Sequence, residues 1–83
     1  MYNDTHNVTE AYMTEYERGQ KNIKDIIESY KTVCKADNKS IVKLAKECKE
    51  SAIQANDVQP NEFWQGAINQ CDFYIKKHKY ISN

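Results

Sequence analysis

Glycine and proline are nearly missing from this 83-residue sequence, which contains two glycines and one proline. These residues form most of the sharp turns in chains built from short β-strands, so their scarcity argues against an all-β fold. Lysine, glutamate and alanine are plentiful, and all three favour helices. The composition therefore predicts an all-α chain.

The sequence also has no long apolar run. No segment approaches the roughly 18 apolar residues that a membrane-spanning helix needs. Residues 1–10 are polar and lack the apolar core of a secretory signal peptide. We therefore expect a soluble, cytoplasmic protein with no membrane partner.

Motifs for catalysis or metal binding are missing as well. Cys34, Cys48 and Cys71 are widely spaced, form no C-x-x-C pair and have no histidine placed to complete a zinc site. Neighbouring lysines could make Cys34 a nucleophile, but no base is paired with it. His78 lies on an apolar helical stripe without an acidic partner, which is typical of a packed histidine. We predict no catalytic residue, no cofactor and no metal site, and hence no enzyme.

The longest helical pattern runs from about Thr9 to Ala36. Asn7 or Thr9 is expected to cap this helix, and residues 1–7 are expected to be frayed. Gly19 lies on the apolar stripe, where it either admits close approach of another helix or marks a kink. The stripe has steps of three and four residues, as one buried helix face requires. Its members are Tyr12, Tyr16, Gly19, Ile23, Ile26, Tyr30 and Val33.

Two further helices are predicted, after a turn at residues 37–40 and after the proline-containing connection of residues 56–61. The second stripe is rich in alanine and contains Ile41, Leu44, Ala45, Cys48, Ala52 and Ala55. The third contains Trp64, Ala67, Ile68, Cys71, Tyr74, Ile75, His78 and Ile81. The expected fold is a small antiparallel three-helix bundle with an up-down-up order, forming a single domain over residues 1–83.

The predicted helix lengths are unequal. The first helix would span about 27 residues or roughly 40 Å, and the second about 16 residues or roughly 24 Å. Either the first helix bends near Gly19, or its N-terminal part projects beyond the bundle and presents Tyr12 and Tyr16 as an interface. Because a chain of this size buries little core by itself, we expect homo-oligomerisation to complete the bundle.

Charge is balanced in total, with 12 basic and 12 acidic residues, but it alternates in blocks. Residues 1–30 carry a net −3, residues 31–49 carry +4, residues 50–72 carry −4 and residues 73–83 carry +3. The first positive block contains the lysines Lys31, Lys35, Lys39, Lys43, Lys46 and Lys49. Such a block is either a binding surface or a solvated face that keeps the protein soluble.

Three functions fit these features. The first is a protein-interaction module that inhibits or regulates a larger protein partner by occupying its surface, such as a phage or microbial accessory protein that antagonises a host system. The second is an oligomer that sequesters a nucleotide or another phosphate ligand between helices, using lysine charge and tyrosine stacking. The third is nonspecific nucleic-acid binding through the lysine blocks. The candidate binding residues are Tyr12, Tyr16, Lys31, Lys35, Lys39, Lys43 and Lys46.

Overall fold

The computed structural model describes residues 12–81. Over this range the chain forms three α-helices and no strand: α1 (Glu15–Cys34), α2 (Asn38–Val58) and α3 (Glu62–Ile81). The helices pack against one another, which confirms the predicted all-α bundle. The predicted fraying of residues 1–7 lies outside the described residues.

α3 lies between the other two helices. It packs along both α1 and α2, whereas α1 and α2 contact each other much less. Gly19 near the start of α1 lies against Phe63 near the start of α3. His78 near the end of α3 lies 2.8 Å from Asn38 at the start of α2. α1 and α3 are therefore parallel and α2 is antiparallel to both, as the up-down-up order predicts.

A capping box sets the start of α1. The Thr14 hydroxyl accepts a hydrogen bond from the Glu17 N–H at 3.1 Å, and the Glu17 carboxylate accepts one from the Thr14 N–H at 2.9 Å. The prediction that Asn7 or Thr9 caps this helix is therefore wrong, because the N-cap is Thr14, five or more residues later in the sequence. Tyr12 lies before the helix and belongs to no helical overhang.

The helices also have nearly equal lengths. α1 has 20 residues and α2 has 21, so the predicted long first helix is not found. α1 stops at Cys34 because Lys35 adopts a left-handed backbone conformation with φ 51°. α2 continues to Val58 because nothing breaks the helix before Pro60.

The core is small. Tyr74, Ile27, Ile41 and Cys71 are its largest fully buried side chains. The complete set of buried apolar residues is Ile23, Ile27, Ile41, Ala45, Ala52, Ala67, Cys71 and Tyr74. Three of these are alanines, which contribute little apolar area.

The two glycines lie where α1 crosses α3. A Cβ at Gly19 would overlap the backbone carbonyl of Phe63, and a Cβ at Gly66 would overlap that of Tyr16. The two backbones therefore touch directly, without room for a methyl group at either position. The predicted close approach at Gly19 is confirmed, and the chain uses both of its glycines at this one crossing.

Candidate functional site

Lysines gather at one end of the bundle, where the C-termini of α1 and α3 meet the N-terminus of α2. We call this the basic end, and it comprises residues 29–43 and 76–81. Its lysines are Lys31, Lys35, Lys39, Lys43, Lys76, Lys77 and Lys79. Asp37 is the one acidic residue in these two segments. Our sequence-based prediction omits Lys76, Lys77 and Lys79, although the up-down-up order is enough to place them here.

The opposite end of the bundle is acidic. It comprises residues 15–20 of α1 and residues 53–67, which join α2 to α3. Its charged residues are Glu15, Glu17, Arg18, Asp57 and Glu62. A chain with a formal net charge of +0 is therefore strongly polarised along the helix axes.

The candidate lysines differ in their ion pairs. Lys31 lies 3.8 Å from Glu28, so it is partly neutralised. Four candidates, by contrast, are exposed and form no ion pair with any residue between 12 and 81: Lys35, Lys39, Lys43 and Lys46. These four charges are available to a partner.

The candidate tyrosines lie far from these lysines. Tyr12 is 82% exposed and precedes α1 at the acidic end, and Tyr16 is half-buried in the first turn of α1. About 15 helical residues separate Tyr16 from Lys31, which is about 22 Å along the helix axis. A single chain therefore does not bring the predicted tyrosines to the predicted lysines.

The N-terminus of α2 is not an open anion site. The Asp37 carboxylate accepts a hydrogen bond from the Ser40 N–H at 2.8 Å, which is the position a bound phosphate would take. This hydrogen bond, with help from Lys39, holds the pKa of Asp37 below its usual value, so the carboxylate remains charged. The Ser40 amide is therefore already occupied and is not offered to a phosphate at the basic end.

A partly buried polar cluster lies beneath the basic end. The Tyr74 hydroxyl donates a hydrogen bond to the Glu28 carboxylate at 3.0 Å, and the Tyr74 ring stacks on His78 with centroids 6.0 Å apart. His78 Nδ1 donates to the Asn38 side-chain oxygen at 2.8 Å, because that oxygen can only accept. The cluster ties α3 to α1 and to α2. His78 is 4% exposed, which confirms that it is packed in the bundle.

The second ring nitrogen of His78 is less well satisfied. Nε2 is buried and has no hydrogen-bond partner among the described residues. Burial, and then the nearby Lys31 and Lys77, hold the pKa of His78 below its ordinary value of 6.5, and Glu28 opposes them. His78 is therefore neutral near pH 7.

We expect the bundle to lose stability as the pH falls below about 6.5. In that range the unfolded chain gains a proton on His78 that the folded chain resists, and the loss continues down to the lower folded pKa. One such group changes the free energy of unfolding by at most about 1.4 kcal/mol per pH unit. Urea unfolding at a series of pH values measures this slope. His78→Gln should flatten it, and an unchanged slope in that variant would contradict the assignment.

Open grooves mark the surface of the described helices. One of about 410 Å³ lies between α2 and α3, lined by charged residues and by Ile53 and Ile75. Between α1 and α2 lie two adjoining compartments of about 250 and 330 Å³ that share Glu47. We call these two together the α1/α2 groove. Its apolar lining includes Ile26, Tyr30, Leu44, Cys48, Ala52 and Trp64.

The described chain is thus a three-helix bundle with a basic end, an acidic end and an apolar groove. Comparisons with protein-family models, with curated proteins and with solved structures find no match to this chain. None of the helices within residues 12–81 has the length and apolar character that crossing a membrane requires. The same residues hold no group of three or more His, Cys, Asp or Glu side chains placed to bind a metal ion.

Proposed function

We propose that this protein is a small interaction module that binds an acidic surface of a larger protein partner through its basic end and thereby inhibits or regulates that partner. The basic end supplies exposed lysines from the start of α2, from the end of α3 and from Lys35, which directly follows α1. Complementary charge of this kind speeds encounter and selects the partner.

The position of Lys39 carries this proposal. The N-terminus of a helix favours negative charge, and a cation in its first turn is unfavourable by about 0.3–1 kcal/mol. Lys39 lies in the first turn of α2, and Lys43 follows one turn later. No residue of that first turn is acidic, so the N-cap Asp37 is the one nearby carboxylate that offsets Lys39. The basic-end lysines of α1 and α3 lie near helix C-termini, where cations are favoured. Helix stability therefore accounts for those lysines better than for Lys39, whereas binding to an acidic partner accounts for both.

The arrangement of the lysines favours a protein partner over a phosphate ligand. They are spread over three helix ends, and the amide of Ser40 at the start of α2 is already bound to Asp37. A nucleic acid fits less well, because the acidic end would repel a phosphate backbone and the single arginine, Arg18, lies at that end.

The test removes one exposed lysine from each part of the basic end. We expect the triple variant Lys35→Gln, Lys39→Gln, Lys76→Gln to remain helical, because these side chains make no ion pair among residues 12–81. Wild-type protein is used to capture its partner from source cells, and mass spectrometry identifies the partner. Affinity for that partner, measured with purified proteins, should fall by about tenfold or more in the triple variant.

A matched control removes three positive charges elsewhere. The variant Arg18→Gln, Lys21→Gln, Lys24→Gln changes the net charge equally but leaves the basic end intact. It should bind the partner about as well as the wild type. Equal losses of affinity in the two triple variants would contradict a role for the basic end.

A further inference from the structure

We infer that the α1/α2 groove is the contact surface of a homodimer in which two copies stack face to face with their helices antiparallel. This inference does not rest on the proposed function, although the groove shares Tyr30, Ser40 and Lys43 with the basic end. It identifies one occupant for the groove, a second copy of this chain.

The groove is apolar because α3 covers only part of the stripe on α1. α3 buries Ile23 and Ile27, whereas Ile26 is 40% exposed and Val33 is 79% exposed. Ile26, Tyr30 and Val33 are spaced four and three residues apart, so they share one face of α1. A continuous apolar strip along a helix that its own chain leaves uncovered is typical of an interface.

The opposite wall of the groove extends this apolar surface. Leu44 and Cys48 of α2 are half-buried and pack against the core, and Trp64 of α3 contributes to the floor. The wall and the strip on α1 therefore form one surface. Lys43 and Glu47 add charged side chains to its lining. A largely apolar surface with a few charged side chains is common in protein interfaces.

Charge selects the relative direction of the two copies. If the two-fold axis ran along the helices, the basic ends would meet and seven lysines of one copy would face seven of the other. If the axis crosses the helices, the basic end of each copy lies over the acidic end of the other. Opposite charges then meet at both ends, so the antiparallel arrangement is the favourable one.

The size of the face sets the expected affinity. The groove covers about 18 Å of α2, but the full faces of α1 and α2 beside it are about 30 Å long and together about 20 Å wide, so each copy can bury at most about 600 Å². The total of about 1,200 Å² lies at the lower limit for specific interfaces. The dimer should therefore be in equilibrium with the monomer at micromolar concentrations.

The antiparallel arrangement also predicts particular contacts. The α2 residues that line the groove run from Ser40 to Ala52, so the middle of the groove lies near residue 46. A two-fold axis at that level places Leu44 of one copy over Cys48 of the other. It also brings Lys43 of each copy beside Glu47 of the other.

The first test compares two isoleucines of nearly equal exposure. Ile26 is 40% exposed and lies in the groove, whereas Ile53 is 39% exposed and lies outside it. Sedimentation equilibrium should show that Ile26→Asp weakens the dimer by about tenfold or more, while Ile53→Asp leaves the dissociation constant near that of the wild type. Circular dichroism checks that both variants remain helical. A wild-type protein that stays monomeric at hundreds of micromolar would overturn the inference.

The second test addresses the direction of the copies. Lys43→Glu should weaken the antiparallel dimer, because the new carboxylate meets Glu47 of the other copy. The double variant Lys43→Glu, Glu47→Lys should restore the affinity, because both contacts are reversed together. If Lys43→Glu instead tightens the dimer, or if the double variant is as weak as the single one, the antiparallel arrangement is wrong. Lys43 belongs to the basic end, but Lys35, Lys39 and Lys76, the three lysines changed in the basic-end test, remain in place throughout.

Discussion

Gly19→Ala should destabilise the bundle by about 2 kcal/mol or more, even though alanine is the better helix former by about 1 kcal/mol. The added methyl group would overlap the backbone carbonyl of Phe63, and a backbone carbonyl cannot rotate away as a side chain can. α1 would have to move off α3 and loosen the packing of Ile23 and Ile27. Urea unfolding followed by circular dichroism gives the free energy of unfolding.

Gly66→Ala should behave similarly, because its methyl group would overlap the carbonyl of Tyr16. The double variant should be less destabilised than the sum of the two single variants, because one separation of α1 from α3 relieves both overlaps. Ser29→Ala and Asn69→Ala are controls at exposed positions of the same helices and should be neutral or slightly stabilising. A Gly19→Ala protein that is more stable than the wild type would show that the helices do not touch at this crossing.

Tyr74→Ala should lose about 3–5 kcal/mol, because the removed ring is 2% exposed and packs at the centre of the core. A chain of this length has a total stability of about 4–12 kcal/mol, so this single change removes between about a quarter and all of it.

Tyr74→Phe separates the ring from the hydroxyl. It keeps the stacking on His78 and loses the hydrogen bond to Glu28, so we expect a loss of only about 1 kcal/mol. Burial and Glu28 raise the pKa of Tyr74 to about 12, so the wild-type hydroxyl is protonated near pH 7 and donates to Glu28. Thermal and urea unfolding of both variants provide the comparison. Equal losses in the two variants would show that the hydrogen bond, rather than ring packing, dominates at this position.

The helical class and the three helices follow from local features of the sequence. Scarce glycine and proline and the three- and four-residue steps act within each segment, so no tertiary information is needed to recognise them. The start of α1 was also present in the sequence, since Thr14 and Glu17 have the spacing of a capping box. The apolar positions at Tyr12 and Tyr16 continue across this cap, and for that reason the stripe alone places the helix start too early.

The buried face of α1 could not be derived from its stripe. Ile26 and Ile27 are neighbours with identical side chains, but they point about 100° apart on a helix. Which one is buried depends on where α3 lies, and that is decided by contacts such as the one between Gly19 and Phe63. The stripe predicts Ile26 as a core residue, whereas the structure buries Ile27 completely.

Part of the candidate site could likewise be predicted from the sequence, and part depends on tertiary contacts. Lys31, Lys35 and Lys39 lie close to the connection between α1 and α2. This grouping follows from chain order, because a short connection keeps neighbouring helix ends together. The hydrogen bond between Tyr74 and Glu28 joins residues 46 positions apart, and no local sequence pattern predicts it. The distance of Tyr16 from these lysines follows from the helix rise alone.

The central position of α3 has a consequence for the synthesis of the protein. α1 and α2 leave the ribosome first, yet they contact each other little, and their apolar faces pack mainly against α3. Ile27 and Ile41 pack in one core with Ala67, Cys71 and Tyr74 of α3, so they cannot be buried there until α3 has been synthesised. The nascent chain must therefore carry two amphipathic helices with exposed apolar faces until its third helix emerges, and it is most open to aggregation or chaperone binding during that interval.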